Sequence, residues 1–222
     1  MTPRVLAYSR TTGFRHESIP AGVAALEAFD DFAVVATEDP AVLTAGELSA
    51  FAAVVFLSTS GATCGGPQGR AALEDFVRGG GGFVGVHAAS TSERDWPFFG
   101  DLVGARFDRH PEVQPARVLV ADADHPATAH LPATWERTDE WYDFHARPDP
   151  SVRVLLRVDE RSYSGGSMGA DHPLAWCHDR LGGRSFYTAL GHTVASYSEP
   201  ALLGHLRGGL QWVTSRTTPT HT

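Results

Sequence analysis

An α/β domain on a mostly parallel sheet is the architecture this sequence predicts, and three observations carry the prediction. Short β-branched runs alternate with amphipathic segments along the first half of the chain, the signature of successive βαβ units. Several of those runs, such as AAVVFLST (52–59) and FVGV (83–86), are apolar through most of their length, as buried strands are. With 222 residues, 42% of them apolar, the chain suffices for the core of one such domain. The expected extent is a single domain over residues 1–215, followed by a polar, fraying tail at 216–222.

RVLAYS (4–9) is the first strand. Ser18 is placed to cap the next helix, with Pro20 in the first turn and Ile19, Val23 and Leu26 as the apolar stripe. FAVVATE (32–38) returns as a strand, a short helix surrounds GELSAF (46–51), and AAVVFLST is the third strand. Pro67 opens a clear helix whose buried face is Ala72, Leu73, Phe76 and Val77, and the glycines from 79 to 82 stop it. That glycine run precedes the fourth strand, FVGV, instead of following it, so it is a turn and not a phosphate cradle. Beyond it, WPFFGDLVG reads as a short helix, PARVLVAD (115–122) and SVRVLLRV (151–158) as strands, and SYSGGSMGADHP (162–173) as a turn-rich loop. PLAWCH (173–178) and RSFYTALGH (184–192) return to strand. A last helix from about Ser198 buries Leu202, Leu203, Leu206, Leu210 and Val213.

Charge and composition narrow the partners. A formal charge of −8 and a pI near 5.7, with no run of Lys and Arg, argue against nucleic acid and suit neutral or small ligands. No apolar run approaches the ~20 residues of a membrane span, and MTPRVLAYSR enters a strand at once, so a cytoplasmic protein is expected. Only Cys64 and Cys177 are present, far apart, which fits reduced thiols and no disulfide framework; Cys64 in TCGGP reads as incidental. Nothing in the sequence requires assembly into an oligomer.

Three strands end in something unusual. The first is followed by TTGFRHES, with Arg15, His16 and Glu17, the fourth by His87, and RSFYTALG by His192. In a doubly wound sheet the carboxyl ends of the strands form the rim of the binding crevice, so topology draws His16, His87 and His192 to one rim. RTDEWYDFH adds Asp139, Glu140 and Tyr142. Carboxylates beside aromatic faces suit a sugar, whose hydroxyls need acceptors and whose C–H face needs an apolar platform; they equally suit a solvated turn beside core aromatics. His110, in FDRHPE, is the strongest of the remaining histidines because it can reach over the crevice. The three rim histidines with Glu140 would supply a zinc-like divalent site with one position open, although no H-E-x-x-H spacing supports it. Acid–base work by His87 or His192, oriented by Asp139 or Glu140, is the reading favoured for an enzyme.

TTGFRHESIPAG, GGFVGVHAAS, GARFDRHPE, DHPATAHLP, DEWYDF, PLAWCHDRLGGRSFYTALGHTVASY and HLRGGLQW, in that order along almost the whole chain, resemble the ThuA-like (trehalose utilisation) family. The resemblance implies a three-layer, flavodoxin-like sandwich of the class I glutamine amidotransferase type. In amidotransferases the strand equivalent to FVGV ends in a nucleophile elbow carrying cysteine; here His87 matches that position. Their partner histidine matches His192, but Val194 stands where the acid belongs, so glutamine hydrolysis through a thioester is not expected. The family further implies catabolism of trehalose or a related disaccharide, with sugars oxidised at C3. On that footing His87, His192 and Glu140 are the catalytic candidates, and His16, Arg15, Asp139, Tyr142 and His110 the substrate-binding ones. Isomerase, lyase and hydrolase chemistry on a small-molecule sugar all fit. The alternatives are a non-catalytic sugar- or partner-binding module and a metal-dependent hydrolase.

Overall fold

The computed structural model describes residues 2–215; the tail expected at 216–222 lies outside the described residues. The first half of the chain runs β1 (Arg4–Tyr8), α1 (Ile19–Glu27), β2 (Ala33–Thr37), α2 (Ala45–Leu48), β3 (Ala53–Leu57), α3 (Pro67–Arg78), β4 (Gly82–Val86) and α4 (Pro97–Val103). The second half is β5 (Phe107–Arg109), β6 (Gln114–Val120), β7 (Thr134–Asp139), β8 (Asp143–Phe144), β9 (Arg153–Val158), β10 (His172–His178), β11 (Ser185–Thr188) and α5 (Pro200–Thr214).

One nine-stranded sheet has the order β2, β1, β3, β4, β11, β10, β9, β6, β7, while β5 and β8 pair as a separate ribbon. From β2 to β11 the pairings are parallel. From β11 to β7 they are antiparallel. Right-handed crossovers fix the layers. The step from β1 out to β2 puts α1 on one face, and the reverse steps to β3 and β4 put α2 and α3 on the other, where they pack together. A turn at 194–198 links α1 to α5, and Arg78 of α3 lies 5.1 Å over the Phe98 ring of α4. The result is the three-layer sandwich expected, helices on both faces of a large sheet.

Burial explains the apolar runs. Every residue of β3 and β4 is buried, so neither strand alternates polar and apolar side chains. Val23, Phe76 and Leu203, expected in the core, are only half-buried, because each sits at the flank of its helix's apolar stripe. Ser18 does not cap α1: its own backbone is already helical, and its hydroxyl instead donates to the Gly191 carbonyl at 3.3 Å. The last parallel strand is also shorter than RSFYTALGH, since the chain leaves the sheet after Thr188. Gly191 takes a φ of 107°, and a β-carbon there would meet the Tyr197 hydroxyl at 2.8 Å, so only glycine carries the chain through this bend.

The antiparallel half is not confined to its own side of the sheet. Although β7 stands at the far edge, Arg137 on it donates to Ser196 at 2.8 Å, in the segment after β11. This half therefore folds back towards the carboxyl rim of the parallel strands. No helix among the described residues is long and apolar enough to cross a membrane.

Candidate active site

β4 ends at Val86, and the chain turns at once into a 3-10 turn over His87–Thr91. His87 adopts a φ of 50°, in the left-handed region that costs a residue with a β-carbon roughly 1–2 kcal/mol. Contacts hold it there. Its Nδ1 bonds the Ala189 carbonyl at 2.7 Å, and Tyr187 donates to the His87 carbonyl at 2.8 Å. A carbonyl only accepts, so Nδ1 carries the proton and a neutral His87 turns a bare Nε2 towards the rim.

β1, β3, β4 and β11 are neighbours, so the loops after β1, β4 and β11 open on one edge. His87 Nε2 consequently lies 3.1 Å from His16 Nε2 and 3.2 Å from His192 Nδ1. The folded-back half brings the rest. Tyr142 donates its hydroxyl to His87 Nε2 at 3.0 Å, and Glu140 Oε2 stands 3.4 Å from that atom and 3.2 Å from His192 Nδ1. The other carboxylate oxygen of Glu140 meets His110 Nδ1 at 3.0 Å. One ligand-capable atom each from His16, His87, Glu140 and His192 lies within 4.8 Å of all the others, so these four side chains are also able to hold a metal ion.

Charges at the cluster follow from burial and these contacts. Burial acts to raise the Glu140 carboxyl, but the hydrogen bond from His192 and the pull of the adjacent His87 and His192 imidazoles overcome it and hold the group well below the usual carboxylate range. The bond to Glu140 raises His192 against the opposing effect of burial. Burial, with the neighbouring imidazoles, lowers His16 to about 3, and burial drives the Tyr142 phenol well upward. At neutral pH Glu140 is thus a carboxylate, His16 neutral and Tyr142 protonated.

A cavity of about 460 Å³ opens on this cluster, with His16, His110, Glu140, Tyr142 and His192 in its wall. His87 is not in that wall. Fully buried, it lies behind the others. Two further candidates also lie outside the wall. Arg15 turns away and grips Glu38 through two bonds of 2.9 and 2.7 Å at the exposed surface, where a bidentate carboxylate partner is available. Asp139 is fully buried on the Arg137 guanidinium at 3.0 Å, and its oxygens accept from the Gly191 and His192 backbone, so it braces His192 and does not line the cavity.

Sequence reasoning missed Phe14, Ser60, Arg94 and Phe107, all in the cavity wall. Two signals were present. Phe14 is an aromatic two residues before a rim histidine, and Ser60 follows the end of β3, a strand that lies between β1 and β4 and so opens on the same rim. Arg94 and Phe107 carry no such mark. Both cysteines lie elsewhere, buried, and burial raises both thiols, that of Cys177 to about 12.

Fold and site together define a three-layer α/β sandwich in which β4 ends at a buried histidine, His87, beside two further histidines and a glutamate. The chain belongs to the ThuA (trehalose utilisation) family, which it matches over residues 4–213. Among solved structures it is similar to a putative ThuA-like protein from Bacteroides uniformis, at 24% identity and a TM-score of 0.82, covering 98% of this chain and 93% of that one. A second putative ThuA-like protein, from Parabacteroides merdae, gives 19% identity and a TM-score of 0.78, covering 99% and 94%. PurLQS from Thermotoga maritima shares the fold at 13% identity and a TM-score of 0.59, covering 96% and 99%. No curated protein matches in sequence.

Proposed function

We propose that this protein acts on a sugar or keto-sugar of disaccharide catabolism by proton transfer beside a carbonyl. The observation that carries the reading is the convergence of His192, Glu140, Tyr142 and His16 at one end of an aromatic-lined cavity of sugar size, about 460 Å³. A ketone at C3 acidifies the C2–H bond. Glu140, a carboxylate in the cavity wall, takes that proton, and the C–H electron pair becomes the C2=C3 bond of an enolate. Tyr142 donates to the enolate oxygen. Return of the pair to C1=C2 breaks the C1–O glycosidic bond, and the leaving oxygen takes a proton from His192. His87 holds these groups from below. Family membership supports the substrate class; the missing thiol argues against glutamine hydrolysis. A small-molecule sugar as partner and a cytoplasmic setting belong to the same proposal, the latter in keeping with two free thiols.

The test compares wild type and His87→Ala on trehalose, 3-ketotrehalose and simple glycosides. Turnover of the keto-sugar, reduced at least roughly a hundredfold in the variant, is expected. If wild type turns over none of the three, the proposal fails.

A further inference from the structure

Protons alone do not account for the way these side chains meet. His87 Nε2 offers one lone pair or one proton, yet four polar atoms surround it at 3.0 to 3.4 Å: Tyr142 Oη, His16 Nε2, His192 Nδ1 and Glu140 Oε2. Three imidazole nitrogens, on rings whose planes stand at 68° to 90° to one another, lie within 4.8 Å of each other and of a Glu140 oxygen. Ligand atoms roughly 2.1 Å from a first-row divalent ion stand about 3.0 Å apart on an octahedron and about 3.4 Å apart on a tetrahedron. Of the six separations among these four atoms, four are 3.1, 3.2, 3.4 and 3.2 Å, inside that interval, and the other two are within 4.8 Å.

We propose that His16 Nε2, His87 Nε2, His192 Nδ1 and Glu140 Oε2 form a binding site for one first-row divalent cation, with an open position facing the cavity. Three neutral imidazoles and one carboxylate suit zinc, cobalt, nickel, iron or manganese better than magnesium or calcium. The supports behind the ligands are those a metal site needs. Nδ1–H of His87 donates to the Ala189 carbonyl, Glu140 is braced by His110 through its second oxygen, and His192 is anchored through its backbone by Asp139. His16, His87 and Glu140 are at most 6% exposed, so water competes poorly for the centre. The ion itself does not depend on the sugar reading; what meets its open position does. A keto-sugar there would place its carbonyl oxygen on the cation, which then takes the enolate charge. Glu140 Oε1 and the Nε2–H of His192, neither of them a ligand atom, remain to take and give the protons, with Tyr142 bordering the cluster.

The full-length protein, purified without chelator from medium containing zinc, manganese, cobalt, nickel and iron, is expected to carry about one divalent ion per chain by elemental analysis. After removal with dipicolinate, titration with Co²⁺ should give visible d–d absorption saturating at one equivalent. Glu140→Gln and His192→Ala should each weaken Co²⁺ binding more than about tenfold, with unchanged far-UV circular dichroism. His145→Ala, which removes an exposed histidine paired with Asp108, should not. Wild-type protein that is folded, holds no ion and shows no saturable cobalt spectrum overturns the proposal, and keto-sugar turnover by such protein would leave the proton-transfer reading standing alone. An ion bound at this site without turnover of any sugar supports the metal site and sinks the sugar reading instead.

Discussion

Asp139 fixes His192 without sharing its cavity: one carboxylate oxygen accepts the Gly191 N–H at 2.9 Å and the other the His192 N–H at 3.1 Å. The same carboxylate neutralises Arg137, itself buried. Asp139→Asn keeps the shape but leaves a buried guanidinium short of a charge. Unfolding stability in urea should fall by roughly 3 kcal/mol, the low end for breaking a buried pair, because Glu199 at 3.4 Å still faces Arg137.

Glu140→Gln preserves volume and removes the charge that His87, His110 and His192 all face. Turnover of a keto-sugar should drop by about 10²- to 10⁴-fold while the melting temperature changes little. Steady-state kinetics beside a thermal melt check both halves of this expectation.

Phe14 is 71% exposed at the cavity mouth, its ring 4.9 Å from that of His16. Phe14→Ala should leave stability within about 0.5 kcal/mol of wild type and raise KM up to about tenfold, the worth of one aromatic contact. Equal KM in both proteins would show that substrate does not stack there.

Two histidines far from the cluster set an acid limit on stability. Burial lowers His205 to about 3 and His125 to about 4, whereas both titrate near 6.5 when unfolded. Above pH 6.5 each is neutral in both states. Below it the unfolded chain binds protons the native protein refuses, so stability falls by about 1.4 kcal/mol per pH unit for each group, until its native pKa is reached. Urea midpoints between pH 6.5 and 4.5 should show the decline. His205→Leu should flatten it by the share of one histidine, whatever it does to absolute stability.

Much of the fold was legible because buried parallel strands leave an unbroken apolar run, as at Val54–Leu57 and Phe83–Val86. The rim histidines were legible for the same reason, each following such a run. What the sequence withheld is how distant segments meet. Glu140 and Tyr142 stood out by composition, yet their arrival beside His87 depends on β7 folding back from the sheet's far edge, a long-range packing event with no local signal. The place of Arg15 was hidden for a related reason: Glu38, just after β2, pairs with it, and strand order alone decides that they are neighbours. Ser18 looked like a cap, whose oxygen would accept from the first turn, but its hydroxyl donates to the distant Gly191 carbonyl instead.

Proton transfer beside a ketone is the central claim, and hydrogen exchange reads it directly. Wild-type protein is incubated with 3-ketotrehalose in D₂O and the sugar is followed by NMR. Deuterium at C2, or loss of the C2 proton through elimination, is predicted to appear faster than in buffer and to be greatly slowed by Glu140→Gln. A C2–H signal that decays no faster than without protein, in a sample shown to be folded and assayed both with and without added divalent cation, would contradict it.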